Sequence, residues 1–566
     1  MQKRLLRCLA GMCACLTASV ISAAPVDLPR MERAIALRVS TGQFMGSVLV
    51  ARDGKVLIDK GYGLADLASK TPNATKTKFR LGSVTKQFTA ACILLLEERG
   101  KLKVEDPVKR YLPDAPAAWD RITIFNLLTH TSGIPSFTGF SDYRATQGKP
   151  VTPEQLVARF RDKPLEFAPG TAYAYSNSGY ALLGYLIERI SGVSYARFVH
   201  DNLFVPLGMR DSGYDSSTEK IPRHATGYVR GRDGPVVADY LDMSVPFSAG
   251  ALYSTTDDLL RWERGLYGGK VLSPASLEKM TTPFKSHYAF GLQVEPGTGG
   301  GKIIWHGGAI DGFNTQVVYV TTDKLAVIVL ANLNGPAADN IATDLRKVME
   351  GETVTLISDR VSVAVSRDVL ERSAGHYFTD DGIVTTVSLQ DDHLQSQDSG
   401  QTLDLYPQSD TEFFSKNEDV QESFSDETRE QATDMTIVRN GHRIHARRIS
   451  DAEAQQLSDA LHAKIHDQTA TPGGEAAVRE WFAAIAAGTP DYDRFGTSVA
   501  DTVRQQLPEL QLSYQHLGAI ESVDFKGVGP WGADIYQVTL ENGALEVRIS
   551  LGPNSKLWSV RTRSLR

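Results

Sequence analysis

Residues 79–100, FRLGSVTKQFTAACILLLEERG, constrain the chain more than any other stretch. From Phe88 to Leu96 the run is apolar on every side rather than along one stripe, so it predicts a helix buried inside a domain. Gly100 suits the position just past its end, and Arg99 lies in the last turn, where a cation suits the helix dipole. Such a helix has little use for a lysine in its first turn, yet Lys86 is there. Residues three apart share a helix face, so Ser83 and Lys86 should lie side by side. Near the helix start, free N–H groups and the positive dipole end favour an anion developing on Ser83. Desolvation lowers a lysine's pKa, which makes Lys86 a candidate acceptor for the Ser83 hydroxyl proton. Ser-x-x-Lys recurs at Ser217/Lys220 and Ser276/Lys279, and a serine at a helix start is often only a cap. The Ser83 copy alone opens a long all-apolar helix.

At 566 residues the chain exceeds what one core supports, and two to four domains are expected. A hydrophobic fraction of 42% and a charged fraction of 22% describe an ordinary soluble protein. The net charge of −7 argues against nucleic acid as the main partner. MQKRLLR, the apolar CLAGMCACLTASVIS and the small residues Ser22-Ala23-Ala24 read as a cleaved signal peptide over 1–24. Pro25 leaves the cut position open. Cys8, Cys13 and Cys15 would leave with it, so Cys92 would be the one cysteine of the mature chain and a small core residue. No other segment is long and apolar enough to span a membrane, so the expected product is exported, periplasmic or secreted, without stable membrane insertion.

Residues 46–63 predict a hairpin around Asp53-Gly54, and residues 313–335 a second around Thr321 to Lys324. Helical patterns lie between them, including 178–190, with Asn177 as cap and Gly192 past the end. Strands at both ends with helices between predict a helix-covered antiparallel sheet closed by N- and C-terminal strands. Residues 360–450 switch to short alternating runs broken at Asp380-Asp381-Gly382 and Asn440-Gly441, an all-β pattern of barrel or sandwich. The acidic piece from Asp410 to Glu430 reads as exposed strand ends and loops. A linker is expected at 464–474. The last region should open with the helix EAAVREWFAAIAAG and end in strands, with a hairpin about Asn542-Gly543.

A serine nucleophile needs a second proton-handling group, a polar positioner and an oxyanion hole. Tyr175-Ser176-Asn177 supplies a phenol and an amide two residues apart, just before a helix; its alternative reading is a loop that caps that helix. Trp305-His306-Gly307-Gly308 offers paired glycines that let a strand backbone approach a ligand closely, although His-x-Gly also occurs at His516-Leu517-Gly518.

In chain order, Ser83-x-x-Lys86, Tyr175-x-Asn177 and His306-x-Gly308 resemble the penicillin-binding-protein-like serine hydrolases. That group takes in class C β-lactamases, D-Ala-D-Ala carboxypeptidases, D-aminopeptidases and family VIII carboxylesterases. FRLGSVTKQFTA, LLTHTSGIP, FAPGTAYAYSNSGYALLGYLIERISG, PLGM and SAGALYSTTDDLLRW carry the likeness over about residues 30–350. The resemblance implies an α+β, β-lactamase/transpeptidase-like domain: an antiparallel sheet with helical covering and an all-helical part. A small β-barrel domain and a small α+β domain should follow. The implied division is a signal peptide (1–24), the β-lactamase-like domain (25–352), a lipocalin-like barrel (360–450) and a C-terminal α+β domain (474–566). Ser83 would be the acylated nucleophile, and Lys86 and Tyr175 would share acid and base work, with the choice between them open. Asn177 and His306 would bind substrate, and the backbone N–H groups of Ser83 and Ala309, the residue after Gly308, would form the oxyanion hole.

Penicillin-recognising members usually carry Lys-Thr-Gly where this chain has His306-Gly307-Gly308, and no Lys-Thr-Gly occurs in the sequence. Histidine is largely neutral near pH 7, so binding of penicillin's carboxylate should be poor and β-lactamase activity weak at best. The expected activity is cleavage of a peptide, amide or ester through an acyl-serine, on a small-molecule or peptide substrate. No cofactor and no metal site is expected. The rival expectation is a non-catalytic cell-envelope binding or assembly protein that retains the fold.

Overall fold

The apolar strands at the two ends of the first region pair with each other. After helix α1 (Leu28–Ser40), the hairpin β1 (Gly46–Arg52) and β2 (Lys55–Tyr62) turns at Asp53-Gly54, as its sequence predicts. Helix α2 (Thr85–Glu98) and helix α3 (Asn177–Ser191) follow. The chain then returns through β3 (Gln293–Pro296), β4 (Lys302–Ile310), β5 (Phe313–Val320) and β6 (Leu325–Ala331), ending in helix α4 (Ala337–Glu350). The strand order is β3-β4-β5-β6-β1-β2, and β1 and β6 run antiparallel with Gly46 opposite Ala331.

The centre of this sheet is buried on both faces, which explains the unbroken apolar run LAVIVLA in β6. Val327 and Val329 pack with α1 and α4, whereas Ile328 and Leu330 pack into the larger core around α2. Every residue of α2 from Thr85 to Leu96 is buried, Lys86 included. Phe88 stacks on Trp262 with centroids 4.1 Å apart, and the Trp262 indole donates to Gln87 at 2.6 Å. Cys92 is a buried free thiol in the same core.

The computed structural model describes residues 26–565 apart from 141, 217, 219, 232–233, 353–355, 399–400, 426–430, 440–441 and 553–554. The expected leader, the Asn440-Gly441 turn and Ser217 of a repeated Ser-x-x-Lys lie outside the described residues. Beyond residue 374, β7 (Gly375–Thr379), β8 (Val384–Leu389), β9 (Leu394–Asp398), β10 (Gln401–Pro407), β11 (Glu412–Ser415), β12 (Val420–Phe424), β13 (Asp434–Arg439) and β14 (His442–Ile449) form a closed barrel. β7 pairs with β14 to close it. The acidic piece at 410–430 is therefore not all exposed ends and loops. β11 and β12 are barrel staves, and the period-two pattern turns Val420, Glu422 and Phe424 inward. The barrel touches the first domain where Arg38 and the Gln43 amide both donate to the Asn417 carbonyl at 3.0 Å.

The linker expected at 464–474 is shorter than its sequence indicates. Helix α5 (Asp451–Asp467), capped by Ser450, runs through its first four residues, because Ala454, Leu457, Leu461 and Ile465 repeat at helical spacing. Helix α6 (Gly474–Ala487) and helix α7 (Thr497–Leu517) then cover a four-stranded sheet of β15 (Ile520–Val528), β16 (Asp534–Leu540), β17 (Gly543–Leu551) and β18 (Leu557–Leu565). Val478, Trp481 and Phe482 of α6 share its core with Tyr536 and Val547. The architecture is the expected α+β domain followed by a small barrel and a small α+β unit.

Candidate active site

The start of α2 meets the edge of β4, and the two lock together through glycine. Ser83 lies in a single 3-10 turn, Gly82–Val84, leading into α2. Gly82 has φ +55, and a Cβ there would come within 3.0 Å of the Ala309 nitrogen. At Gly308 a Cβ would stand 2.0 Å from the Leu81 carbonyl oxygen, a distance no side chain tolerates. The same carbonyl accepts from the Thr315 hydroxyl of β5 at 2.8 Å. Ser83 and Ala309 thus line one cavity of about 350 Å³.

Lys86 Nζ lies 2.9 Å from Ser83 Oγ, 2.8 Å from Asn177 Oδ1 and 2.9 Å from the Ala249 carbonyl oxygen. It also sits over the Tyr175 ring, 4.8 Å from the centroid. Burial holds its pKa well below the ordinary lysine value. Asn177 is fixed from its other side: its amide donates to Thr138 Oγ1 at 3.0 Å and its backbone N–H to Ser136 Oγ at 3.1 Å. The cap of α3 is Ser176, whose hydroxyl accepts from the Gly179 N–H, and not Asn177. The side chain of Asn177 is taken up by Lys86, so its neighbour terminates the helix.

Tyr175 stands in the extended segment before α3, and the Ser83 hydroxyl hydrogen-bonds its phenol. As a residue it is 38% exposed, its ring bordering the cleft, but packing around the hydroxyl pushes the phenol pKa up, more than the Ser83 contact lowers it. His130 holds this segment in place. Its carbonyl accepts from the Ala174 N–H at 3.0 Å, its Nδ1 from the Ser176 N–H at 3.1 Å, and its ring lies 4.2 Å from that of Tyr175. An Nδ1 that accepts leaves the proton on Nε2. His130 adopts φ +56, an uncommon backbone for a non-glycine residue.

His306 is buried on β4. Its Nδ1 contacts the Gly307 carbonyl at 2.6 Å, which can only accept, so Nδ1 carries the proton and Nε2 accepts from the Tyr288 hydroxyl at 2.9 Å. Burial first, then repulsion from Lys86, brings the His306 pKa down to about 3. The imidazole is neutral throughout the physiological range.

Ser83, Lys86, Tyr175, Asn177, His306, Gly308 and Ala309 therefore come together around one cleft. The repeated Ser276/Lys279 pair does not join them: Ser276 lies in a short helix, and Lys279 pairs with Glu97 at 3.0 Å. Sequence reasoning assigned no role to His130, Ser136, Thr138, Ala249 or Tyr288. The first four lie in or beside LLTHTSGIP and SAGALYSTTDD, segments noticed only for their likeness to a family. Among the described residues there is no group of three or more His, Cys, Asp or Glu side chains able to hold a metal ion. Nor is any described helix long and apolar enough to cross a membrane.

The family model described as Beta-lactamase matches residues 32–348. The chain belongs to the beta-lactamase family. Penicillin-binding protein 4* of Bacillus subtilis is 31% identical over 409 residues, covering 68% of this chain and 90% of that protein. The putative penicillin-binding protein PbpX of the same organism is 34% identical over 295 residues, 52% of this chain and 72% of that one. Among solved structures, the octameric penicillin-binding protein homologue from Pyrococcus abyssi superposes with a TM-score of 0.55 at 26% identity. It covers 74% of this chain and 100% of its own. The beta-lactamase family assignment makes this a protein of the serine-hydrolase kind.

Proposed function

We propose that this member of the beta-lactamase family is an exported hydrolase that cleaves a peptide, amide or ester bond through an acyl intermediate on Ser83. The observation that carries this is the surroundings of Lys86 Nζ. Two of its three partners, Asn177 Oδ1 and the Ala249 carbonyl, are oxygens that can only accept. A neutral amine gives its two protons to them and keeps its lone pair for the third partner, the Ser83 hydroxyl. The low pKa of Lys86 and the high pKa of Tyr175 both favour this assignment, with Lys86 as base and Tyr175 as neutral acid.

In that reading Lys86 takes the Ser83 proton as Oγ bonds to the substrate carbonyl carbon. The carbonyl oxygen becomes an anion held by the N–H groups of Ser83 and Ala309. On collapse Tyr175 gives its proton to the leaving nitrogen or oxygen and regains one from the Lys86 ammonium. Water then enters, loses a proton along the same route, and releases the acid and free Ser83. Asn177 orients the acyl amide, and His306 borders the cleft without charge. D-amino-acid peptides and small esters suit such a site better than penicillins, because position 306 offers no cation to a carboxylate on the leaving side.

A fluorophosphonate should add to Ser83, seen as one mass increment that disappears in Ser83→Ala. The same variant should lose turnover of p-nitrophenyl esters, D-amino-acid amides or D-Ala-D-Ala peptides, while nitrocefin turns over weakly or not at all. Absence of any adduct on Ser83, with no hydrolysis across that panel, would leave only a non-catalytic role.

A further inference from the structure

The 350 Å³ cavity beside Ser83 is walled by Asn177 and Ala309, but Tyr175 and His306 are not among its walls. If Tyr175 protonates the leaving group, the leaving group departs on its side of Ser83, and this cavity receives the acyl part. Most of its far wall is uncharged, formed by Phe137, Tyr143, Leu241, Pro246, Ile310 and Asn334. The exceptions are two. Arg144 is the sole cation and Asp311 the sole anion among the lining residues.

The two are not equivalent. Asp311 is the anchored partner: both its oxygens accept from Arg144 Nη1, at 3.0 and 3.2 Å, and one also accepts from the Gln147 amide at 2.8 Å. Its side chain is 20% exposed, that of Arg144 69%. Arg144 spends one nitrogen on these contacts, Nη1, which also reaches Gln147 Oε1 at 3.3 Å. Among the described residues no acceptor takes Nε or Nη2, which form a planar fork suited to a second carboxylate. Asp311 and Gln147 hold the guanidinium through Nη1, while most of the Arg144 side chain stays exposed at the cavity wall.

We propose, on the hydrolase reading above, that Arg144 is a specificity residue that selects substrates whose acyl part carries a carboxylate. The natural substrate class is then an amide or ester of a dicarboxylic or acidic amino acid, cleaved at the carbonyl distant from its free carboxylate. The charge absent at position 306, on the leaving side, is supplied at position 144, on the acyl side.

The test compares 7-amido-4-methylcoumarin amides of succinic, glutaric and adipic acid with the neutral butyryl, valeryl and hexanoyl amides of the same lengths. In the wild-type chain kcat/KM for the best acidic amide should exceed that of its neutral counterpart by about 10-fold to 100-fold, the range of a charge-assisted hydrogen bond. Arg144→Gln should bring that ratio close to one, while Arg144→Lys keeps part of it. Fluorophosphonate addition to Ser83 in each variant verifies that the domain is folded. A wild-type ratio of one or below, a preference for amino-acyl amides that Asp311→Asn abolishes, or a ratio indifferent to Arg144→Gln would overturn the proposal. Any of these with Ser83 still labelled and active leaves the hydrolase reading standing. Failure of labelling together with all hydrolysis would remove both.

Discussion

Lys86→Met separates what Lys86 does for chemistry from what it costs the fold. Methionine fills much the same volume, so α2 keeps its packing, but the Asn177 and Ala249 oxygens each lose a donor. Such losses run at about 1–3 kcal/mol each for buried groups. Against them stands relief from burying an amine that gives up its proton to fold. The sign follows from linkage: an unfolded lysine holds its proton up to about pH 10.4, whereas the fully buried Lys86 releases it at lower pH. Between those two values the unfolded state binds the extra proton, so wild-type stability relative to the variant rises with pH, by up to about 1.4 kcal/mol per unit. Below the folded value the difference is flat, with the full cost present. Urea denaturation of both proteins at several pH values between 6 and 10 reads that slope. Fluorophosphonate addition to Ser83, timed in parallel, should slow by about 10²-fold to 10⁴-fold in the variant. Wild-type and variant curves that run parallel across the whole range, or addition slowed less than tenfold, would refute the neutral-amine assignment.

His306→Gln should leave the acidic limb of the kcat/KM profile where it is, because an imidazole with a pKa of about 3 does not titrate between pH 5 and 9; a limb that moves would assign it to this residue. Gly308→Ala drives a methyl group onto the Leu81 carbonyl and displaces the strand bearing Ala309. Acylation should fall by about 10²-fold to 10³-fold, checked by burst kinetics against thermal unfolding. In the barrel, burial raises the Glu422 pKa to about 7, while the Ser396 hydroxyl at 2.7 Å partly opposes the rise. Below about pH 4.3 both states hold the proton; stability is then lost as pH rises toward 7, and Glu422→Gln should restore on the order of 3 kcal/mol at pH 8 in denaturant titrations.

The Ser83-x-x-Lys86 spacing was legible because it interrupts a rule. An all-apolar helix with a lysine in its first turn is locally inconsistent, and the structure resolves the inconsistency by giving that lysine three oxygen partners, at Ser83, Asn177 and Ala249. Tyr175-x-Asn177 and His306-x-Gly308 became legible only in combination, since each alone is common. The hairpins of the sheet followed from β-rich runs around turn residues. Other features were hidden for physical reasons. His130 acts through its backbone and a ring nitrogen on a segment more than forty residues away, a contact no local pattern encodes. Glu422 was read as exposed because charge usually means solvent, but in a closed barrel every second residue must point inward whatever its polarity. α5 escaped notice because its apolar stripe is narrow and the linker marked by Pro472-Gly473-Gly474 is read back to residue 464, four residues into the helix.

Burial is what ties the fold to the chemistry in this chain. The same apolar helix that makes α2 the centre of the larger core removes Lys86 from water, and that removal is what lowers its pKa toward the working range of a base. A charge nearby would not serve as well, because it would also act on His306 and His130, whose pKa values are already held down by burial and by Lys86 itself. Desolvation acts on each group separately. It lowers the pKa of the amine, raises that of the Tyr175 phenol and leaves both imidazoles neutral, three outcomes from one apolar enclosure. A single ordered water admitted beside Lys86 would weaken all three together, so a cavity-forming change at Tyr180, whose buried ring lies 5.6 Å from Lys86 Nζ, should raise the Lys86 pKa and move the acidic limb of kcat/KM to higher pH.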